Sequence, residues 1–379
     1  FFFKQKTAYE ISTRDWSSDV CSSDLIYGYG SALNFPGFSY TKEGYLITQF
    51  PLGYTAWLAS FVSLFGIHGF ALGNAVLFAL FLLFTYSLIR LFAHPLYAFS
   101  GLFLSLTAFL PTWFAKITLT ENLALFLFLY LAFSLILFLR EGKFIYYAGV
   151  LLSAGLFAFT RIEGFAFLGI TAIILVFSKH TRHIWKTYPF KSLVIPSALF
   201  LFVLLRDFFI NLPYYKVIGK AGIKFFRSLS ETIPENNTVA LSHNGSSLGS
   251  IMFTYGLLIL FIAGIFSLLL FIKKKRYELL IPALLASPTL LYLFDPNISP
   301  DHPWMLRRYL FSLFPTLLFS TVLGVALLFT SEHSSFPIDT PKRKWLPYAV
   351  LLFFGLFFLQ LPALSATIFF SENKTLLTQ

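Results

Sequence analysis

Uncharged apolar stretches of about 20 residues recur along nearly the whole of this 379-residue chain, and each is enough to cross a bilayer core of about 30 Å. Composition agrees: 57% of residues are hydrophobic, 20% aromatic and 12% charged, and mean hydropathy is +0.75. These values lie outside the soluble globular range. The expected fold class is therefore all-α, a polytopic transmembrane helical bundle.

The first 25 residues break this pattern. FFFKQKTAYEISTRDWSSDVCSSDL is polar, has no amphipathic period and lacks the order of a signal peptide. KQKTAYEI and DWSSDVCSSDL resemble translated sequencing-adapter oligonucleotides, with Ser12, Thr13 and Arg14 where a sample index would fall. Residues 1–25 are therefore set aside as adapter-derived; a disordered polar tail is the plainer alternative. Removing the segment's net −1 from the overall +11 leaves +12, and the single cysteine, Cys21, goes with it. Disulfides, thiol nucleophiles and thiolate metal sites then drop out. The remaining reading frame is expected to be a fragment whose true start is missing.

Apolar runs between charged breaks place spans at 69 to 92, 95 to 115, 119 to 139, 144 to 160, 163 to 178, 192 to 211, 250 to 272, 278 to 294, 309 to 330 and 346 to 369, about ten in all. Pro95, Pro111, Pro196, Pro282, Pro288 and Pro315 mark kinks or ends, where neighbouring helices re-satisfy freed carbonyls. Leu52 to Ile67 is short for a span and interrupted by Gly53, and it reads as an interfacial helix.

Every second loop is basic. Arg90, then Arg140 and Lys143, then Lys179, Arg182, Lys186 and Lys191, then Lys273 to Arg276, then Lys342 to Lys344 fall on one side. The bias of Lys and Arg toward cytoplasmic loops makes this the inner face. The positive charge is thus explained by topology and anionic membrane lipid, and nothing supports a nucleic-acid partner.

Charge on the other face needs a different cause. Glu121, Arg161, Glu163, Asp295, Asp301, His302, Arg307 and Arg308 fall at span ends there, with Arg206 and Asp207 late in the span 192 to 211. Ionisable groups at such depths are costly unless they pair or serve a site. Singly, each has a plainer reading. Glu121 follows Thr118 and Thr120 at a helix start, where the dipole favours an acid. Arg161 and Glu163 form an interfacial turn. Arg206 and Asp207 point about 100° apart on a helix and need partners elsewhere. His302 is a loop histidine with no second histidine at metal-ligand spacing. Arg307 and Arg308 snorkel to head groups. Together, on one face, they point to an outward-opening polar site. Arginine's planar fork grips phosphate bidentately, which suits a lipid-linked phosphate or diphosphate. Trp304, Tyr309, Tyr214 and Tyr215 suit an interface belt or sugar stacking.

Other chemistry is not visible. No glycine-rich phosphate loop, G-K-[ST], paired histidines or GxSxG occurs, which argues against ATP-driven transport and serine hydrolysis. No protein metal site is expected. NNT at Asn236 and NKT at Asn373 match glycosylation acceptors, which matters only in a eukaryote. No symmetry between halves marks an inverted-repeat transporter.

Four segments, in order, resemble a known superfamily. QFPLGYTAWLASFVSLFG (Gln49 to Gly66), TLTENLALFLFLYLAF, AFTRIEGFAFL and RRYLFSLFP resemble elements of the C-type, multi-span glycosyltransferases that use polyprenyl-phosphate sugars, related to protein O-mannosyltransferases and lipid A aminoarabinose transferases. The match covers residues 49 to 315. The resemblance implies a sugar moved from a polyprenyl phosphate to a glycan, lipid or protein acceptor at the outer face of a bacterial or archaeal plasma membrane, with or without a divalent metal. It makes Arg161, Arg307 and Arg308 phosphate-site residues, supported by Glu121 and Glu163, with Arg206, Asp301 and His302 as further substrate-binding candidates. It makes residues 26–68 the remnant of a first outer loop and residues 69–379 the bundle. The family's catalytic acid lies in that first loop after an initial span, and Glu43 is the only acid between Leu25 and Pro51, rather close to the proline for the role. The general base is therefore expected upstream. A transporter or flippase for a lipid-linked glycan stays open as an alternative, as does a surface-polysaccharide polymerase or ligase working through the long segment 213 to 249.

Overall fold

The computed structural model describes residues 38–40, 46–48, 51–187, 257–293 and 306–328, with isolated helical positions between 201 and 212 and at 352 and 356. Residues 1–25, Glu43, Arg206, Asp301, His302, Trp304, Tyr214 and Tyr215 lie outside the described residues, as does nearly all of the spans at 192 to 211 and 346 to 369. The described residues are helical apart from a short antiparallel hairpin, β1 (Phe38–Tyr40) against β2 (Leu46–Thr48), in the register Ser39 opposite Ile47.

Helix α1 (Gly53–Phe65) and helix α2 (Gly69–Arg90) are joined by a 3-10 turn at Gly66–His68. They fold back on each other. Trp57 Nε1 donates to the Gly73 carbonyl at 3.2 Å, and Tyr54 Oη donates to Asn74 Oδ1 at 2.8 Å. In one straight helix Trp57 and Gly73 would stand about 24 Å apart at 1.5 Å per residue. Gly66 permits the reversal with φ +59°, a conformation costly for residues with a Cβ. A Cβ on Gly69 would lie 2.5 Å from the Phe61 carbonyl, so the two helices meet at backbone contact. The expected interfacial helix at Leu52 to Ile67 is thus a helix, and it is paired with the following span.

Helix α3 (Pro95–Thr107) stops before the run's end. Ala108 is extended, and helix α4 (Phe109–Phe114) starts anew. Pro111 has no amide to donate to the Thr107 carbonyl, so the ladder cannot continue. Helix α5 (Thr120–Glu141) has no such interruption and measures about 33 Å at 1.5 Å per residue. It ends at Gly142, where φ is +66° and a Cβ would strike the His180 ring at 2.3 Å. Helix α6 (Phe144–Ala158) returns along it, and helix α7 (Gly164–Phe177) runs back along α6.

Helix α8 (Lys179–Thr187) leaves α7 at a bend of 79° at Ser178. Its sequence, KHTRHIWKT, explains the bend. Lys or Arg at the centre of a bilayer costs about 2.5 to 3.5 kcal/mol each, so the chain cannot extend the span in that direction.

Helix α9 (Leu257–Lys273) leads through a 3-10 turn (Tyr277–Leu280) into helix α10 (Ile281–Ala286) and a second 3-10 stretch (Ser287–Leu293). Pro282 and Pro288 each remove an amide donor, which divides the expected span at 278 to 294 into three short pieces. A single turn, α11 (Arg307–Leu310), precedes helix α12 (Leu313–Leu328). Gly264 meets Leu317 and Gly324 meets Ser267, where a Cβ on Gly324 would lie 2.0 Å from the hydroxyl oxygen. Helices α9 and α12 therefore run side by side in the same direction at the close spacing that small residues allow.

Helices α5 and α12 form the interior. Almost every residue of α12 is buried, and so is most of α5. By length and composition two helical segments, Gly53–Arg90 and Thr120–Glu141, suffice to cross a membrane, or three if α7 and α8 are counted as one broken span. Because Gly53–Arg90 doubles back, the part of it long enough to cross is α2. The tally of about ten spans is not reached among the described residues: α3, α6, α9 and α12 are shorter apolar helices of 13 to 17 residues.

The helices alternate in direction, giving the bundle two chemically different ends. At one, Arg140 Nε and Nη2 hold Glu278 at 3.0 and 2.9 Å, while Arg140 Nη1 donates to the Leu91 carbonyl at 3.2 Å. His180 packs beside Gly142 at this same end. The loops after α2 and α5, the start of α8 and the loop after α9, all basic in the sequence, therefore lie together. At the other end lie the turns before α5, α7 and α11.

Candidate functional site

At that second end, five ionisable side chains converge from three separate stretches of chain. Thr120 and Glu121 open α5, where exposed amides favour an acid in the first turn. The turn between α6 and α7 carries Arg161 and Glu163. It is held tightly, with the Arg161 amide donating to the Phe157 carbonyl and the Gly164 amide to the Arg161 carbonyl, each at 3.0 Å. Arg307 and Arg308 occupy the single turn α11.

Arg161 is the hub. Its Nη1 stands 2.8 Å from Glu121 Oε1 and donates to Thr120 Oγ1 at 3.2 Å. Its Nε and Nη2 grip Glu163 through both oxygens at 3.2 and 2.9 Å. Its guanidinium carbon lies 4.5 Å from the centroid of the Phe311 ring, and Phe311 is fully buried against Phe157 and Phe167. Burial works to lower the Arg161 pKa, but Glu121 and Glu163 outweigh it and hold the guanidinium above its ordinary range.

The other two arginines complete the cluster. Arg308 Nη1 donates to Glu163 Oε1 at 3.1 Å, and Arg307 Nε stands 3.7 Å from Glu121 Oε1. The Tyr292 hydroxyl donates to the same Glu163 oxygen and lies 3.4 Å from Arg308 Nη1. The Arg308 guanidinium sits over the Tyr292 ring at 5.0 Å. Burial lowers the Arg307 pKa, and Glu121 acts against that shift. A guanidinium stays charged through such shifts at neutral pH.

Three guanidiniums thus face two carboxylates, leaving one positive charge in excess. Arg161, Glu121 and Glu163 have side-chain exposures of 6, 4 and 12%, against 22 and 21% for Arg307 and Arg308. The surplus therefore lies on the more open side of the cluster. Arg308 Nε is buried and has no hydrogen-bond partner among the described residues. A cationic, partly open site is suited to an anion.

Asn74 and Asn122 brace the neighbouring wall. Asn122 Nδ2 donates to the carbonyls of Ile117 and Phe114 at 2.8 and 3.1 Å, and Asn74 Nδ2 reaches the Ile117 carbonyl at 3.2 Å. A groove of about 560 Å³ opens here, lined by Ile67, Phe70, Ala71 and Phe78, with His68, Asn74, Lys116 and Thr118 as its polar members.

Of the residues singled out from sequence, Glu121, Arg161, Glu163, Arg307 and Arg308 come together as one network. Glu121 is more than a dipole-placed acid, because it is buried against Arg161. Arg307 and Arg308 turn inward onto carboxylates, which replaces the head-group reading. Tyr309 departs from the interface-belt expectation. It is 2% exposed and its hydroxyl donates to the Tyr292 carbonyl at 2.8 Å, so it is a core residue. Tyr292 was not anticipated: in LLYLF a tyrosine reads as span filling, and its position before Asp295 is the only cue.

Both carboxylates are occupied by guanidiniums, and no group of three or more His, Cys, Asp or Glu is placed to hold a metal among the described residues. These residues do not build a divalent-cation site. Comparison with known proteins finds no matching family model, no matching curated protein and no matching solved structure.

Proposed function

We propose that the chain belongs to a membrane glycosyltransferase that moves a sugar from a polyprenyl-phosphate donor to an acceptor at the outer face of a prokaryotic plasma membrane, within a bundle of about ten spans. One observation carries this reading: the Glu121, Arg161, Glu163, Arg307 and Arg308 network at one bundle end, with its excess positive charge. Three of the four resembling segments supply its five residues: Glu121, then Arg161 with Glu163, then Arg307 with Arg308.

In this reading the more open guanidiniums, Arg307 and Arg308, bind the donor phosphate. Arg161 and the two glutamates fix their positions. As the acceptor oxygen attacks the anomeric carbon, the bond from that carbon to the phosphate oxygen breaks and charge grows on the phosphate. Preorganised arginines stabilise that charge more than the ground state. The acceptor proton passes to a carboxylate base, and Glu121 and Glu163 are both engaged by arginine, so neither is assigned that role. The apolar-walled groove beside Asn74 offers room for part of an isoprenoid tail.

The test is transfer of labelled sugar from a polyprenyl phosphate by the full-length gene product in membranes. Arg308→Ala is expected to lower turnover by about 10² to 10³, the usual cost of losing one charge-stabilising donor, while the protein still inserts and keeps its unfolding midpoint within a few degrees. Unchanged turnover would remove Arg308 from the site and the network from the reaction.

A further inference from the structure

At Ser178 the apolar α7 gives way to α8 through a bend of 79°. Helix α8 has two unlike faces. His180 and Ile184, four residues apart, turn inward: Ile184 is buried, and His180 packs against Gly142 and stands edge-on to Phe138 at 6.1 Å. The indole Nε1 of Trp185 donates to the Tyr147 hydroxyl at 3.1 Å while the residue stays 60% exposed. The opposite stripe, Lys179, Arg182, His183 and Lys186, follows helical spacing and is exposed throughout. No ion pair among the described residues engages Lys179, Arg182 or Lys186.

Its surroundings add to that charge. At this end of the bundle the acids among the described residues are Glu141 and Glu278, held by Lys143 and Arg140 at 2.6 and 2.9 Å. Neither is left to neutralise α8. The helix is clamped to the bundle by its apolar side, turned across the direction of the preceding span, and bears a tryptophan beside a cationic stripe. Basic amphipathic helices with an interfacial tryptophan lie in the head-group layer.

We propose that α8 is an anionic-lipid docking helix: it lies along the membrane surface, with Lys179, Arg182 and Lys186 against acidic head groups and Trp185 at the acyl boundary. This rests on the membrane reading of the chain and is independent of any transferase activity. It gives the basic end of the bundle a dedicated lipid contact, beyond the general bias of basic loops toward one side. A soluble acidic protein would match the charge, but it would leave Trp185 and its neighbours wet whatever the lipid.

The test uses the full chain with Cys21→Ser and His183→Cys, labelled with an environment-sensitive fluorophore. It is placed in nanodiscs of phosphatidylcholine alone, or of equal parts phosphatidylcholine and phosphatidylglycerol. Emission is expected to shift to the blue only in the anionic discs, and the shift should weaken in about 1 M salt, where the screening length is about 3 Å. K179E/R182E/K186E should abolish the difference between discs. The milder K179Q/K186Q should reduce it if the triple variant fails to fold. Equal emission in both discs, or a difference that survives these substitutions, overturns the proposal. Failure of the chain to enter nanodiscs at all would instead overturn the membrane reading.

Discussion

Arg161 Nη1 lies 2.8 Å from Glu121 Oε1, joining the turn between α6 and α7 to the start of α5, forty positions earlier, with both side chains almost sealed from solvent. The same guanidinium holds Glu163 through two hydrogen bonds. One arginine therefore engages two buried carboxylates, and its removal takes the shortest guanidinium contact from each, leaving Glu121 with Arg307 at 3.7 Å and Glu163 with Arg308 and Tyr292.

Arg161→Ala is accordingly expected to destabilise the purified chain by about 3 to 5 kcal/mol, the range for breaking a buried ion pair by deleting one partner. Arg161→Lys should recover only part of this, because an ammonium cannot reproduce the planar fork on Glu163. Thermal unfolding in detergent measures both. A midpoint unmoved by Arg161→Ala would mean that the carboxylates are not buried as described.

The Arg140 and Glu278 pair has similar geometry and a different environment, with side-chain exposures of 24 and 50%. Glu278→Ala should cost less than about 1 kcal/mol, since solvent screens exposed pairs. The contrast with Arg161→Ala, read in the same assay, separates burial from the mere presence of an ion pair.

Asn122 satisfies the carbonyls of Phe114 and Ile117, which lie outside regular helix hydrogen bonding at the α4 to α5 connection. Asn122→Leu removes one donor from each, but the Ile117 amide still serves the Phe114 carbonyl and Asn74 Nδ2 still serves that of Ile117, so it should cost about 0.5 to 1.5 kcal/mol. It should also loosen the start of α5, seen as faster amide exchange at 117–121. Exchange unchanged from wild type would show that the connection does not depend on this side chain.

Two glycines should respond oppositely to alanine. Gly142 has φ +66° and a Cβ there would strike His180, so Gly142→Ala should destabilise by at least about 1 kcal/mol. At Gly169, inside α7, nothing lies within 4 Å of the added Cβ, and Gly169→Ala should be neutral or stabilise by up to about 1 kcal/mol through helix propensity. Matched unfolding curves decide both signs.

The apolar run lengths and the basic loops were enough to read a helical chain with segments able to enter a membrane and an alternation of its ends, because both properties are local: hydropathy sums along a segment, and charge between segments does not depend on packing. Glu121, Arg161, Glu163, Arg307 and Arg308 were legible for a related reason, since charge at the end of an apolar run needs an explanation wherever it occurs. Their pairing was not legible. Which carboxylate meets which guanidinium depends on how helices α5, α7 and α11 come together across forty to nearly two hundred residues, and no local pattern encodes that distance. Tyr292 and Phe311 became parts of the site for the same reason, and Tyr309 became core. Helix breaks were only half legible: the prolines at 111, 282 and 288 were visible, but whether each would kink a span or divide it was decided by which neighbours could take up the freed backbone groups. The fold-back of α1 on α2 lay wholly with tertiary structure, because an unbroken apolar run can continue straight or reverse at a glycine, and contact between Phe61 and Gly69 selected the reversal.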